Sequence, residues 1–312
     1  MKMLHYRFPG EQIHSLEGDF ISTQHIEGHN FIITDFDQKN KYFWSTDSTP
    51  KPIQTTTPYC ISEAEYLLQA AQLIKDLDRG LAQKIVLSRV KKANQTLKEP
   101  EALFQKLLQQ YPNALVYYFH DTCLGSWIGA SPEILIERTS THWRTMALAG
   151  TKRAGEERDF TAKEFNEHAM VTEFIESQLR QIPGANVQVS EILTYSPGPV
   201  THLLQELNWQ MPQSVLPLLL KHLHPTPAVS GLPKKVAQQY LEVIEGHERR
   251  FYAGIIGNCT VGSEKLYVNL RSAELCGQFM YCYVGGGFTE DSVPQLEWEE
   301  TENKSQTLLR LL

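Results

Sequence analysis

Two stretches of the chain place glutamates three residues apart. Glu164 and Glu167 form one pair, with His168 beside them. Glu297 and Glu300 form the other, with Lys304 four residues beyond Glu300. On an α-helix, positions i, i+3 and i+4 share a face. Two such faces brought together make an oxygen-rich site. Magnesium uses sites of this kind, taking one or two carboxylates and keeping its other positions for water and substrate. Four carboxylates facing one another without a cation repel strongly. Spacing alone favours a plainer reading, in which both pairs are solvated faces and Glu300–Lys304 is a surface pair contributing roughly 0.3–0.5 kcal/mol.

Other residues have chemistry of their own. Lys84 opens the strand-like run KIVLSRV, with Val86 and Ser88 on its own face. A lysine at a strand end is ordinarily an exposed edge charge; a functional one needs burial to bring its pKa toward working pH. Glu133 follows Gly129-Ala130-Ser131-Pro132, a turn that could aim a carboxylate into a cleft or leave it in water. Gly150-Thr151 ends MALAGT, and Gly285-Gly286-Gly287 interrupts an apolar strand. Glycines there let a ligand or another backbone approach and leave amides open to an anion, or else mark a bulge. No G-x-G-x-x-G follows a strand and no G-K-[ST] ends a loop, so these are not nucleotide loops. Arg271 sits inside VNLRSAEL, read as the middle of a strand, where it serves as a carboxylate clamp or a structural ion pair. His224-Pro225-Thr226-Pro227-Ala228 is a stiff loop, because proline fixes its own φ.

The elements that must position these residues follow from periodicity and caps. Ser62 caps an amphipathic helix running to about Leu81. Further helices are expected over Phe104–Gln110, Phe160–Gln181, Lys234–Ile244 and Glu297–Leu312. Strands are expected over Lys84–Val90, Ala114–Phe119, Glu133–Arg138, Trp143–Leu148 and Val187–Leu193. A strand pair, Leu266–Leu275 with Gln278–Val284, turns at Cys276-Gly277. Strands and helices mix without a βαβ rhythm, which predicts an α+β protein with mostly antiparallel sheets. Residues 47–58, rich in Pro, Thr and Ser, read as a connection between a small N-terminal piece and the main body.

Composition narrows the function classes. The 312 residues suffice to bury a sizeable core, with 41% hydrophobic and 21% charged residues. The 29 basic and 36 acidic residues leave a net charge of −7, which argues against general affinity for nucleic acid or an anionic membrane. The first residues lack a long apolar core, and Val215–Leu220, the most apolar run, is too short to span a bilayer. Five cysteines without zinc-site spacing read as reduced thiols, so a cytoplasmic location is expected.

Taken in order, the segments KIVLSR, GASPEIL, ALAGTKRAG, KEFNEHAMV, VTHLLQEL, HPTPAVSGLP, ERRFYAGIIG, LYVNLRSAEL and YVGGGFTEDSVPQLEWEETENK resemble the chorismate-utilising enzymes. The resemblance covers about residues 60–312, the expected catalytic domain. Residues 1–59, which carry no clear match, are expected to be a short N-terminal part of the same fold. It implies two large, mainly antiparallel sheets packed together, helices outside and a site in the cleft between them. It implies that Glu167 and Glu300 bind Mg2+, with Glu164 and Glu297 supporting the metal from behind. Thr151, His202, Tyr252, Arg271, Gly286 and Lys304 match substrate-contact positions, Arg271 and Tyr252 holding the enolpyruvyl carboxylate.

Within that family Lys84 is the informative position. Relatives that add ammonia carry glutamine there, and relatives that add water carry lysine. A water nucleophile needs a base, whereas ammonia is already nucleophilic. The resemblance therefore implies an isochorismate synthase, in which Lys84 is the base and Glu133 the acid. Salicylate synthase is the nearest alternative; an ammonia-using synthase and a catalytically silent chorismate-binding relative are further ones. Chorismate is then the small-molecule partner, no glutamine amidotransferase partner is expected, and a monomer suffices. The product of such an enzyme can feed menaquinone or a siderophore. The chain departs from the family pattern at Ser230, where glycine is usual, and in VGGGF, where A-G-A-G-I is usual.

Overall fold

The computed structural model describes residues 2–47, 56–196, 200–212 and 215–312. Most of the segment 47–58 lies outside the described residues. The N-terminal residues form β1 (Met3–Arg7), β2 (His14–Glu17), β3 (Asp19–Ser22), β4 (Ile32–Thr34) and β5 (Lys41–Ser45). Then come α1 (Glu63–Asp78), β6 (Lys84–Lys92), α2 (Pro100–Gln110), β7 (Leu115–Asp121), β8 (Gly125–Ser131), β9 (Ile134–Thr139), β10 (His142–Arg153) and α3 (Ala162–Arg180). The remainder is β11 (Gln188–Val189), β12 (Leu193–Tyr195), β13 (Val200–Gln210), α4 (Leu216–Leu223), β14 (Gly231–Leu232), α5 (Lys234–Ile244), β15 (Ile255–Asn258), β16 (Lys265–Val268), β17 (Ser272–Cys276), β18 (Phe279–Phe288) and α6 (Pro294–Leu309).

Two antiparallel sheets organise these strands. The first has eight, in the order β14-β6-β18-β17-β8-β7-β1-β2. The second has ten, in the order β11-β13-β10-β9-β16-β15-β4-β5-β3, with β12 also pairing β13. One large apolar core, including Trp127, Tyr283, Ile136 and Ile256, takes residues from both sheets. Helix α2 covers the outer face of β7 and β8 through Leu103, Phe104 and Leu107. Helices α1 and α5 pack with Ile85, Leu87 and Phe288 of β6 and β18. Helix α3 lies on β10, and α6 on β18. The expected α+β architecture of two antiparallel sheets with outer helices is the one observed. Among the described residues no helix is long and apolar enough to cross a membrane.

Local rules account for the helices. Ser62 and Glu65 form a capping box at the start of α1, as Thr161 and Glu164 do at the start of α3. In each, the hydroxyl accepts an amide N–H and the glutamate reaches back to the cap residue, which satisfies otherwise orphaned donors. Proline stands in the first turn of α2, α4 and α6, where its missing N–H costs nothing.

Three expectations need correction. The run Leu266–Leu275 is two strands in two different sheets: the chain leaves the second sheet at Val268 and enters the first at Ser272. Arg271 is thus no strand residue; it sits at the crossing with φ 50°. Both halves are buried, so the apolar pattern runs on through the break. The N-terminal residues, expected to be part of the same fold, supply β1 and β2 to one sheet and β3, β4 and β5 to the other. The expected strand Val187–Leu193 is the two short strands β11 and β12. The three glycines of β18 do not interrupt it: all three pair in register with β6, Gly285 with Ser88, Gly286 with Leu87 and Gly287 with Val86. Strands β8 and β13 and helix α4 went unread in the sequence.

A second crossing runs beside the first. The chain passes from β8 in the first sheet to β9 in the second through Pro132-Glu133. Since β8 pairs β17 and β9 pairs β16, the two crossings are neighbours. Their backbones bond to each other: Ala130 N–H donates to Arg271 O at 3.1 Å and Val268 N–H to Glu133 O at 3.0 Å. Asn269 accepts from Tyr117 O–H at 2.8 Å and donates to Phe251 O at 2.9 Å.

The edge strand β14 fixes the start of β6, pairing Gly231 with Ile85 and Leu232 with Lys84. A Cβ on Gly231 would lie 2.2 Å from Lys84 O, a backbone atom that cannot swing aside. Gly231→Ala should therefore lower the unfolding free energy by about 1–3 kcal/mol. Urea unfolding reads this directly, and an unchanged midpoint would mean that the close approach is unnecessary.

Candidate active site

The cleft between the sheets encloses about 640 Å³ of empty space including its mouth. Lys84 from β6, Glu133 and Arg271 from the two crossings, Thr151 from β10, His202 from β13, Glu167 from α3, Tyr252 from the loop after α5 and Lys304 from α6 all line it. The structure thus brings together eight of the residues singled out in the sequence. Apolar lining from Leu148, Val229 and Tyr283 was not foreseen. Residues of this kind leave no sequence signal distinct from the core.

Lys84 is 1% exposed, and its Nζ lies 2.7 Å from Glu167 Oε1. The glycines make this contact possible. A Cβ on Gly287 would stand 2.5 Å from Glu167 Oε1 and 2.8 Å from Lys84 Cε, and one on Gly285 would stand 3.0 Å from Tyr252 Oη. The room beside β18 is therefore used by the protein's own polar groups. Gly286 faces the other way, with its Cβ position 3.3 Å from Glu297 Oε2, so only Gly285 and Gly287 line the cleft. Its matched substrate-contact position is not a lining one here.

Glu133 is 3% exposed, and burial pushes its carboxyl up to about 8 against the opposing pull of Lys84, Arg271 and Lys304. It is protonated at neutral pH and able to donate. Burial, reinforced by Arg271 and Lys304, lowers the pKa of His202 well below its usual value. His202 Nε2 accepts from Arg271 Nη2 at 3.1 Å, which puts the neutral ring's proton on Nδ1, 3.1 Å from Thr151 Oγ1. Arg271 Nη1 is buried without a partner. Half of a guanidinium fork committed and half idle suits a carboxylate in the cleft. Lys304 Nζ donates to Gly285 O at 2.8 Å and pairs with Glu300 Oε1 at 2.6 Å.

The glutamate pairs divide unevenly. Glu164 accepts from both Nη atoms of Arg158, at 2.8 and 2.7 Å, and completes the α3 cap. Its carboxylate is spent there, away from the other three. His168 is buried against β13, its Nε2 3.2 Å from Gln205 Oε1. Burial opposes ionisation of Glu167, yet Lys84, Lys304 and Lys163 bring its pKa below the usual value. Burial and then the charge of Glu300 push Glu297 up to about 7, although Lys163 Nζ lies 2.7 Å from its Oε1.

Among the described residues, no group of three or more His, Cys, Asp or Glu side chains forms a ready-made metal site. Glu167, Glu297 and Glu300 each lie against a lysine instead. The donor chemistry nevertheless fits a hard divalent cation, which needs only one or two carboxylates. Burial first, and then the charge of Glu300, raise the proton affinity of Glu297, and a cation there would relieve the second of these. Lys163 was missed in the sequence. The available signal was a lysine in the first turn of α3, where the helix dipole disfavours a positive charge.

Residues 22–312 match the family model described as chorismate binding enzyme. The chain belongs to this family. It is 29% identical over 276 residues to isochorismate synthase EntC of Escherichia coli, covering 83% of this chain and 68% of that protein. It is also 29% identical over 227 residues to anthranilate synthase component 1 of Aquifex aeolicus, covering 68% of this chain and 46% of that protein. The chain thus spans from about half to two thirds of the length of these curated relatives. In fold it resembles the structure of MenF, the menaquinone-specific isochorismate synthase from Escherichia coli. That match has a TM-score of 0.83 at 20% identity, over 99% of this chain and 89% of that one.

The proton held by Glu133 couples folding to pH. Its folded-state pKa is raised from 4.5 to about 8, so folding binds the proton more tightly. The resulting stability is complete below the unfolded-state value and is lost as pH rises through the folded-state value. Relative to Glu133→Gln, the wild-type protein should lose stability from about pH 4.5 to 8 and then level off. Urea midpoints of the two proteins across that range check it, and parallel curves would count against the burial argument.

Proposed function

We propose that the chain is an isochorismate synthase, converting chorismate to isochorismate with magnesium. The observation that carries this reading is the placement of Lys84 and the protonated Glu133 in one buried cleft. A lysine base and a carboxylic acid in one site meet the two proton demands of adding water and expelling hydroxide. The likeness to isochorismate synthases supports it.

Lys84 takes a proton from a water that attacks C2 of the ring. The double bonds shift, the C4–O bond breaks, and Glu133 protonates the departing hydroxyl to water. One water enters and one leaves, so the product is an isomer of the substrate. Arg271 Nη1, buried and idle, and the Tyr252 hydroxyl would receive the enolpyruvyl carboxylate. His202 fixes the other edge of the guanidinium. Magnesium, held by Glu167 and Glu300 with Glu297 in support, would neutralise and orient the ring carboxylate when bound. To act as a base Lys84 must give up its ion pair with Glu167.

The test is product analysis after incubation with chorismate and Mg2+. Isochorismate is expected. Salicylate without an added lyase would move the reading to a salicylate synthase, and an aminated product with ammonium salts to an ammonia-using synthase. Lys84→Ala should abolish turnover while chorismate binding, followed by calorimetry, persists. Glu133→Gln should cost about 10²–10⁴-fold in kcat. In the wild-type enzyme, the rate should fall as pH rises through about 8, where Glu133 loses its proton. An alkaline limb that survives Glu133→Gln would assign it to another group.

A further inference from the structure

A second cavity adjoins the cleft. Glu167 belongs to the walls of both, so this one carboxylate forms part of the partition between them. Lys163 lines the second cavity, as do Glu290 and Asp291 past the end of β18. Burial opposes the charge of Lys163, but Glu297, whose Oε1 lies 2.7 Å from Lys163 Nζ, and then Glu167 and Glu300 favour it. The magnesium reading assigns the cation to Glu167 and Glu300, with Glu297 supporting it from behind. The lysine is also at the wrong end of its own helix dipole. Its placement is explained by the carboxylates it serves, not by the helix that carries it.

We propose that Lys163 is the resident counter-ion of the metal-free site, standing in for the cation and withdrawing into the second cavity when a divalent ion arrives. The inference rests on the magnesium reading of the site. Withdrawn, the ammonium has Glu290 and Asp291 as new partners along the same cavity. The exchange brings a net gain only for an ion of higher charge than the lysine. A monovalent ion would merely substitute for it, so the device selects divalent cations by charge. It also weakens apparent metal affinity, because binding must displace an ion already present.

Mn2+, which takes the same oxygen ligands as magnesium, is the probe, with free Mn2+ read by electron paramagnetic resonance. Lys163→Gln should bind Mn2+ tighter than wild type, on the order of tenfold, whereas Lys163→Arg, which keeps the charge, should not. Equal or weaker binding by a folded Lys163→Gln protein overturns the counter-ion role and leaves the metal assignment standing. Failure of both wild type and the folded variant to take up Mn2+ removes the metal assignment and this role together. A measurement on the wild type avoids dependence on variant folding: acylation of Lys163 by an amine-reactive ester, followed by mass spectrometry, should rise severalfold on adding Mg2+. Unchanged labelling with bound metal would overturn the proposal.

Discussion

The structure depends on two side-by-side crossings at which the chain changes sheets. Regular ladder bonding stops at each crossing, yet the backbone there is interior and its polar groups must still be paired. They pair with each other, through Ala130 with Arg271 and Val268 with Glu133, and Asn269 binds them to β7 and to the loop at Phe251. Side chains leaving such a place point into the cleft between the sheets. Glu133 and Arg271 stand one on each crossing. The raised proton affinity of the first and the idle buried nitrogen of the second are therefore consequences of topology.

Around these two residues the cleft is held by charge. Lys84 with Glu167, Lys163 with Glu297, and Lys304 with Glu300 form three close pairs on β6, α3 and α6. Burying an ion pair is a poor route to stability, since desolvation can exceed the Coulomb gain. Strongly perturbed groups gathered in a cleft are instead typical of a working site. Arg89 steadies the arrangement: it is 2% exposed, donates to Thr301 at 2.8 Å and to Glu302 at 2.5 Å, and stacks on Trp298. It ties the helix carrying Glu297 and Glu300 to the strand carrying Lys84.

Much of this was legible beforehand, and the misses have physical causes. The caps of α1, the span of α5 and the hairpin at Cys276-Gly277 follow local rules, and each appears as expected. The cleft residues were recoverable because ordered motifs, not spacing, carried them; spacing alone favoured solvated helix faces. The sheet change at Arg271 was not legible, because burial on both sides of the break hides it from periodicity. Nor was the different fate of Glu164: an i, i+3 rule puts it beside Glu167, but the cap of its own helix and Arg158 claim it first.

The first strands have distant partners. Strand β1 pairs Met3 with His120 in β7, and β4 pairs Ile33 with Ile256 in β15. A chain emerging from the ribosome exposes its early strands long before those partners exist. Each has a local partner at once, β1 in β2 and β4 in β5, but β4 must wait for β15 until the crossing at Pro132-Glu133, α3 and β13 have been made. Such long-range pairings slow folding and leave strand edges open meanwhile. Completion of the two sheets is thus a late event, dependent on residues near the end of the chain. The same N-terminal strands that contribute nothing to the cleft lining take their last partner, β15, only after most of the cleft has been made.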